Sequence, residues 1–219
     1  MKQENLTKMM DGGIVAVVRK IDRNKVIKVI ECLIDGGITA VEVTLDSEDA
    51  LGVLKEASQT FRGRAVIGAG TVLDEQSANI AIHAGADFIF APTIDEGTIK
   101  LANRYGKIVI PGVFTPTEIL NAQECGADLV KVFPASVLGP KFIKDVKGPL
   151  NHVNMMPTGG VNLHNTAEYI RAGAVAVGVG GSLLQKELID QERWGDLETL
   201  ARDYTEEVQK GRAALVSSN

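Results

Sequence analysis

Short apolar runs alternate with longer amphipathic stretches along this chain, and glycine repeatedly marks the boundary between them. The segment Asp35-Gly36-Gly37-Ile38-Thr39-Ala40-Val41 passes from a helical pattern into an apolar run. The same passage recurs at Ala84-Gly85-Ala86-Asp87-Phe88-Ile89-Phe90, at Cys125-Gly126-Ala127-Asp128-Leu129-Val130 and at Ala172-Gly173-Ala174-Val175-Ala176-Val177. Glycine just past a helix supplies the left-handed terminating residue, after which the chain extends. The repeat is therefore the helix-to-strand junction of a β/α unit.

The pattern predicts a leading helix over 2–10 and strands over 14–18, 38–44, 65–69, 87–90, 108–110, 129–133, 153–156 and 174–179. Helices are expected near 23–34, 47–60, 95–105, 140–147, 163–172 and 195–213. Asp74 opens another as its N-cap, and Thr115-Pro116-Thr117-Glu118 opens one with proline in its first turn. The strand at 108–110 is expected to end at Pro111-Gly112. Strands alternating with helices indicate a parallel sheet with helical crossovers. An α/β fold, closed as a (β/α)8 TIM barrel with an extra N-terminal helix, fits the count of units. An open doubly wound sheet is the alternative, but no G-x-G-x-x-G follows the first strand. No linker or composition shift divides the chain, so residues 1–219 read as a single barrel domain.

Two of these strands carry a charge in an apolar setting: Glu42 within Ala40-Val41-Glu42-Val43-Thr44, and Lys131 within Leu129-Val130-Lys131-Val132-Phe133. Side chains alternate along a strand, so Val41, Val43, Val130 and Val132 suit the helix-facing side. Glu42 and Lys131 are then expected to point into the barrel. A structural ion pair is one reading, although such pairs are expensive to desolvate and often add nothing to stability. The other reading is chemical. A desolvated lysine has a lowered pKa, and its neutral amine attacks carbonyls to form a Schiff base, with a nearby carboxylate moving the protons.

Glycine-rich strand ends form a second constellation. Pro157-Thr158-Gly159-Gly160-Val161-Asn162 follows the seventh strand, and Gly178-Val179-Gly180-Gly181-Ser182 follows the eighth. Both precede helices, and the loops after these two strands are the usual phosphate site of this fold. Gly68-Ala69-Gly70-Thr71 reads equally as a tight turn or as a close backbone approach to a ligand, with a hydroxyl on Thr71. Pro92 and Pro111-Gly112 end strands at the same rim. Arg19, ending the first strand, is either a solvated surface arginine or the holder of a carboxylate or phosphate.

Composition narrows the class. The 219 residues are 45% apolar and 23% charged, as in a soluble globular enzyme. A net charge of −5 without a basic block speaks against nucleic acid as partner. No apolar run approaches the ~20 residues of a membrane span, and MKQENLTKMMDGG lacks a signal peptide's apolar core. Cys32 and Cys125 read as free thiols of a reducing cytoplasm. His83, His152 and His164 show no ligand spacing, so a catalytic zinc site on histidines is not expected.

The ordered set VEVTL (41–45), IGAGTVL (67–73), IPGVFTPTE (110–118), LVKVFPA (129–135) and PTGGVN (157–162) resembles the 2-keto-3-deoxy-6-phosphogluconate / 4-hydroxy-2-oxoglutarate aldolases, class I enzymes of the Entner–Doudoroff route. The resemblance runs from about Gly13 to Leu184. It implies Lys131 as the Schiff-base lysine and Glu42 as general acid/base, with Thr71 and Thr158 lining the pyruvate region and Phe133 beside the lysine. It implies that Gly159, Gly160, Gly180, Gly181 and Ser182 hold the substrate phosphate. Cytoplasmic homotrimers needing neither metal nor cofactor are implied as well, acting on a small 2-keto acid and a phosphorylated aldehyde. One departure stands out: many members carry a carboxylate-clamping arginine where this chain has Asp46. Arg19 is the expected substitute. Two rival expectations remain, a phosphosugar isomerase, epimerase or synthase with Lys131 as a fixed charge, and a silent phosphate-ester-binding barrel.

Overall fold

The four repeated junctions share one geometry. Gly37, Gly85, Gly126 and Gly173 all take a left-handed backbone, with φ between 98° and 111°. The amide after the first of them, Ile38, turns back to the Leu33 carbonyl at 3.0 Å, so the helix end is closed before the strand begins.

The computed structural model describes residues 1–216, so the last three positions of the domain expected over 1–219 lie outside the described residues. In chain order the elements open with α1 (Lys2–Gly12), β1 (Ile14–Val18), α2 (Val26–Asp35), β2 (Ala40–Thr44), α3 (Ala50–Thr60) and β3 (Val66–Gly70). Then come α4 (Glu75–His83), β4 (Phe88–Phe90), α5 (Glu96–Arg104), β5 (Ile108–Ile110), β6 (Gly112–Val113) and α6 (Pro116–Glu124). The chain continues through β7 (Val130–Val132), α7 (Ala135–Lys147), β8 (Met155–Pro157), α8 (Leu163–Arg171), β9 (Val177–Val179), α9 (Lys186–Asp190) and α10 (Trp194–Val216).

All strand pairs are parallel, in the orders β5-β4-β3-β2-β1-β9 and β6-β7-β8. The two runs join into a ring. A bridge between Thr158 and Gly178 links the end of β8 to β9. On the other side, β5 and β6 are two halves of one strand separated by Pro111. Proline has no N–H to give the ladder, but its carbonyl accepts from the Lys131 N–H at 2.8 Å, and Val113 continues by accepting from Phe133. The expectation that Pro111 ends this strand is therefore corrected: the strand bends there and goes on pairing.

The barrel has two apolar surfaces. Val41, Val43, Val130 and Val132 pack outward with the helices. Val15, Ala40, Val66, Phe88, Phe90, Ile108, Ile110, Leu129, Met156 and Ala176 pack inward, and Leu6 and Met9 of α1 join them. The extra helix thus plugs the end of the barrel from which the strands start, leaving the opposite rim open.

Two helices differ from expectation. α7 begins at Ala135 rather than near 140, with a break at Gly139 (φ 70°, ψ 173°), so Pro140 starts its second part at a position proline tolerates. The five-residue α9 is too short to display a helical period and went unpredicted. Elsewhere, Asp74 caps α4 by accepting from the Ser77 amide, and Thr115 and Glu118 form a reciprocal capping box on α6. Among the described residues, no helix is long and apolar enough to cross a membrane.

Candidate active site

Strand parity delivers Glu42 and Lys131 to the barrel interior, and neighbouring glycines make room for them. Glu42 lies between Val17 of β1 and Gly68 of β3. A methyl group on Gly70 would overlap Glu42 Oε2, and one on Gly68 would overlap the Phe88 ring. Gly68 and Gly70 are thus strand residues whose missing side chains make space, which corrects the tight-turn reading. Lys131, on β7, stands between Gly112 and Met156. Residue exposures are 1% for Glu42 and 5% for Lys131.

The two groups feel each other's charge without forming a direct salt bridge. Burial pushes the Glu42 carboxyl up to about 7, only partly offset by the positive charges of Lys131 and Arg19. Burial also drives Lys131 below the ordinary lysine range; Glu42 opposes that shift and Arg19 adds to it. Both groups are therefore moved toward their neutral forms, as desolvation demands. Lys131 Nζ lies over two aromatic faces, 4.1 Å from the Phe90 centroid and 4.8 Å from that of Phe133. Glu42 Oε2 and Thr158 Oγ1 are buried without any hydrogen-bond partner. Buried polar atoms are nearly always satisfied in native proteins; three more without a partner, Asn79 Oδ1, Thr98 Oγ1 and Gln123 Oε1, lie on α4, α5 and α6, so it is the company of Lys131 that singles these two out.

The cavity measures about 470 Å3 and opens at the rim. Its lining includes Arg19, Pro92, Lys131, Phe133, Thr158, Gly159, Gly160, Gly180, Gly181 and Ser182. Of the residues expected from sequence, Glu42 and Thr71 are not part of that lining. Glu42 is buried, and Thr71 is held by Arg19. Arg19 is half-exposed and donates to Asp46 Oδ2 at 3.0 Å and to Thr71 Oγ1 at 2.7 Å. It is therefore a fixed arginine, not a freely solvated one. Asp46, the residue that departs from the family pattern, is what fixes it. Partial burial raises the Asp46 carboxyl, but the Thr44 hydroxyl and the Arg19 charge outweigh it and hold the group ionised.

The glycine loops meet on the opposite wall. Among the described residues, the backbone N–H groups of Gly159, Gly160, Gly180, Gly181 and Ser182 have no partner within the chain. At the start of α8 the Asn162 cap accepts from the His164 and Asn165 amides, which takes both donors away from the cavity. The Ser182 hydroxyl donates across to the Val161 carbonyl at 2.7 Å, near the buried Tyr204 of α10. That bond ties the two loops together. Sequence reasoning missed Tyr204 and Phe90, since each occupies an ordinary apolar position of its element.

A larger groove of about 760 Å3 adjoins the cavity at Arg19. Its cations are already paired, Arg23 with Asp49 and Glu56, Lys25 with Glu192 and Lys186 with Asp190. The buried amine of Lys131 and the unpartnered Thr158 hydroxyl belong to residues lining the smaller cavity, which is the better candidate for chemistry.

The model of the KDPG and KHG aldolase family matches residues 6–200. A probable 2-dehydro-3-deoxy-6-phosphogalactonate aldolase of Rhizobium meliloti is 35% identical over 175 residues, 80% of this chain and 82% of its own. A 2-dehydro-3-deoxy-phosphogluconate aldolase of Pseudomonas aeruginosa is 34% identical over 194 residues, 88% of both chains. Among solved structures, a KDPG aldolase from Legionella pneumophila, with pyruvate captured as a covalent carbinolamine, superposes with a TM-score of 0.83. It is 27% identical, covering 90% of this chain and 96% of its own.

Proposed function

We propose that this chain, which belongs to the KDPG and KHG aldolase family, cleaves 2-keto-3-deoxy-6-phosphogluconate to pyruvate and glyceraldehyde 3-phosphate through a Schiff base on Lys131, and 4-hydroxy-2-oxoglutarate to pyruvate and glyoxylate. As a family member it is an aldolase, and so a lyase. The carrying observation is a buried amine of lowered pKa that lines a cavity together with an unpartnered threonine hydroxyl and feels the charge of a buried, unpartnered carboxylate.

In this reading neutral Lys131 attacks the C2 ketone, and the oxygen takes the proton held by Glu42. The nitrogen then returns a proton to Glu42, leaving a carbinolamine. Glu42 gives that proton to the carbinolamine hydroxyl, water departs, and a protonated imine remains. Glu42, now a carboxylate, takes the C4 hydroxyl proton through a water. The C3–C4 electron pair moves into the imine to form an enamine, and the phosphorylated aldehyde leaves. Glu42 protonates C3, and water releases pyruvate and restores the amine. The covalent carbinolamine of the Legionella relative supports the first of these steps.

Arg19 is the group proposed for the substrate carboxylate, held toward the cavity by Asp46. Thr71, Pro92, Phe133 and Thr158 are proposed to surround the pyruvate portion. The free amides of Gly159, Gly160, Gly180, Gly181 and Ser182 are proposed for the phosphate, because an anion satisfies several N–H groups at once. The homotrimer is proposed from the family resemblance.

Pyruvate with borohydride is expected to leave a reduced adduct on Lys131, read by peptide mass spectrometry. An unlabelled lysine after full exposure would defeat the Schiff-base reading. A steady-state comparison of three substrates tests the remainder. The gluconate- and galactonate-derived 6-phosphates are expected to exceed 4-hydroxy-2-oxoglutarate in kcat/KM by roughly 100-fold, since the latter leaves the loop amides without their phosphate. Equal efficiencies with and without phosphate would reduce the glycine loops to turns.

A further inference from the structure

We propose that Phe90 is a catalytic residue, the face of its ring holding the positive charge on the Lys131 nitrogen first as an ammonium and then as the protonated imine. The proposal rests on the Schiff-base reading above and adds a group that reading does not use. Lys131 Nζ stands 4.1 Å from the Phe90 centroid, nearer than to Phe133 at 4.8 Å. Among the described residues Nζ has no hydrogen-bond acceptor, and no salt bridge reaches it. The groups in contact with this buried cation are therefore aromatic faces, whose negative quadrupole attracts positive charge most strongly where water is excluded.

The register explains how the ring gets there. Gly70 of β3 lies opposite Phe90, and Phe90 lies opposite Ile110 of β5. The space above Gly70 is filled by the Glu42 carboxylate. The bare position at Gly70 makes room for the carboxylate, and Phe90, its register partner on β4, brings a ring to the Lys131 nitrogen. Glu42 moves protons; the ring has none to give and acts only on charge. Its effect is selective among the states of the nitrogen. The neutral amine gains nothing, whereas ammonium and protonated imine both do. Above the pH at which the amine loses its proton, forming the imine creates a cation, so the ring favours the adduct. Below that pH one cation replaces another and the ring's contribution cancels.

The test substitutes 4-fluoro-, 3,5-difluoro- and 3,4,5-trifluorophenylalanine at position 90 of the full chain. Fluorine drains the ring face of negative charge while keeping an apolar ring of similar size, which Phe90→Ala would not. Pyruvate is the probe, cyanoborohydride the trap, and the Lys131 adduct is quantified by mass spectrometry across pyruvate concentration and pH. In the parent chain the adduct must form; its absence would overturn both readings together. At alkaline pH the half-saturating pyruvate concentration is expected to rise with each fluorine, on the order of tenfold across the series. The pH midpoint of the amine is expected to move stepwise to lower values. If the adduct forms but neither quantity moves, Phe90 is packing alone and the Schiff-base reading stands without it.

Discussion

Lys131→Arg is expected to abolish pyruvate release, by roughly 10^4-fold or more in kcat/KM, and to abolish the borohydride-trapped adduct. Arginine stays protonated at any pH the fold tolerates, so it has no lone pair for the ketone. The same site that lowers the lysine's proton affinity by burial cannot do so for a guanidinium. An arginine at 5% exposure, in space shaped for lysine between Phe90 and Phe133, also stresses packing. Lys131→Met is the companion variant: it keeps the length, removes the charge and leaves no desolvated cation. Its melting temperature should equal or exceed the parent's, while its activity falls as far. Substantial turnover by a folded Lys131→Met protein would sink the covalent mechanism.

Glu42→Gln is expected to reduce kcat by about 10^2–10^4-fold, the usual worth of a positioned acid/base, while pyruvate still binds. The pH dependence gives a sharper reading. Glu42 and Lys131 influence each other, so the apparent values belong to the pair. Glu42 raises the lysine's pKa, and removing its charge should lower that value further, moving the amine's protonation midpoint to lower pH. Conversely, Lys131→Met removes a cation that holds Glu42 down, so the carboxyl should rise above its present value of about 7. Opposite movements in the two variants, followed by adduct trapping in one and by carboxyl titration in the other, are the expected pattern. A midpoint that does not move in Glu42→Gln would mean that the carboxylate is too far away to act.

The glycine junctions and caps were legible because each is a local event. Gly37, Gly85, Gly126 and Gly173 terminate helices by a conformation set within a few residues, and β1 falls where the pattern places it. The α6 capping box likewise needs only Thr115 and Glu118. Pro111 was misread for the converse reason. A proline stops a strand unless its neighbour needs only the carbonyl, and that neighbour, Lys131, lies far along the chain.

The same division runs through the cavity. In the sequence Asp46 stands out as a lost cation; in space it is the anchor of Arg19, from a loop 27 residues away. The donors facing the proposed phosphate became identifiable only with the backbone pairing in place, which leaves the loop amides unpaired while Asn162 occupies those of His164 and Asn165. Phe90 looks like any strand phenylalanine until ring closure sets it beneath a lysine.

What the amino-acid order determined by itself was periodicity and parity: where strands and helices alternate, and that Glu42 and Lys131 face away from the helices. Those follow from backbone geometry repeated every two or 3.6 residues. Tertiary structure alone decided which groups meet inside, because closing the ring brings together side chains whose separation along the chain carries no information about their distance. The unpartnered carboxylate oxygen, the ring under the amine and the anchored arginine all belong to that second kind.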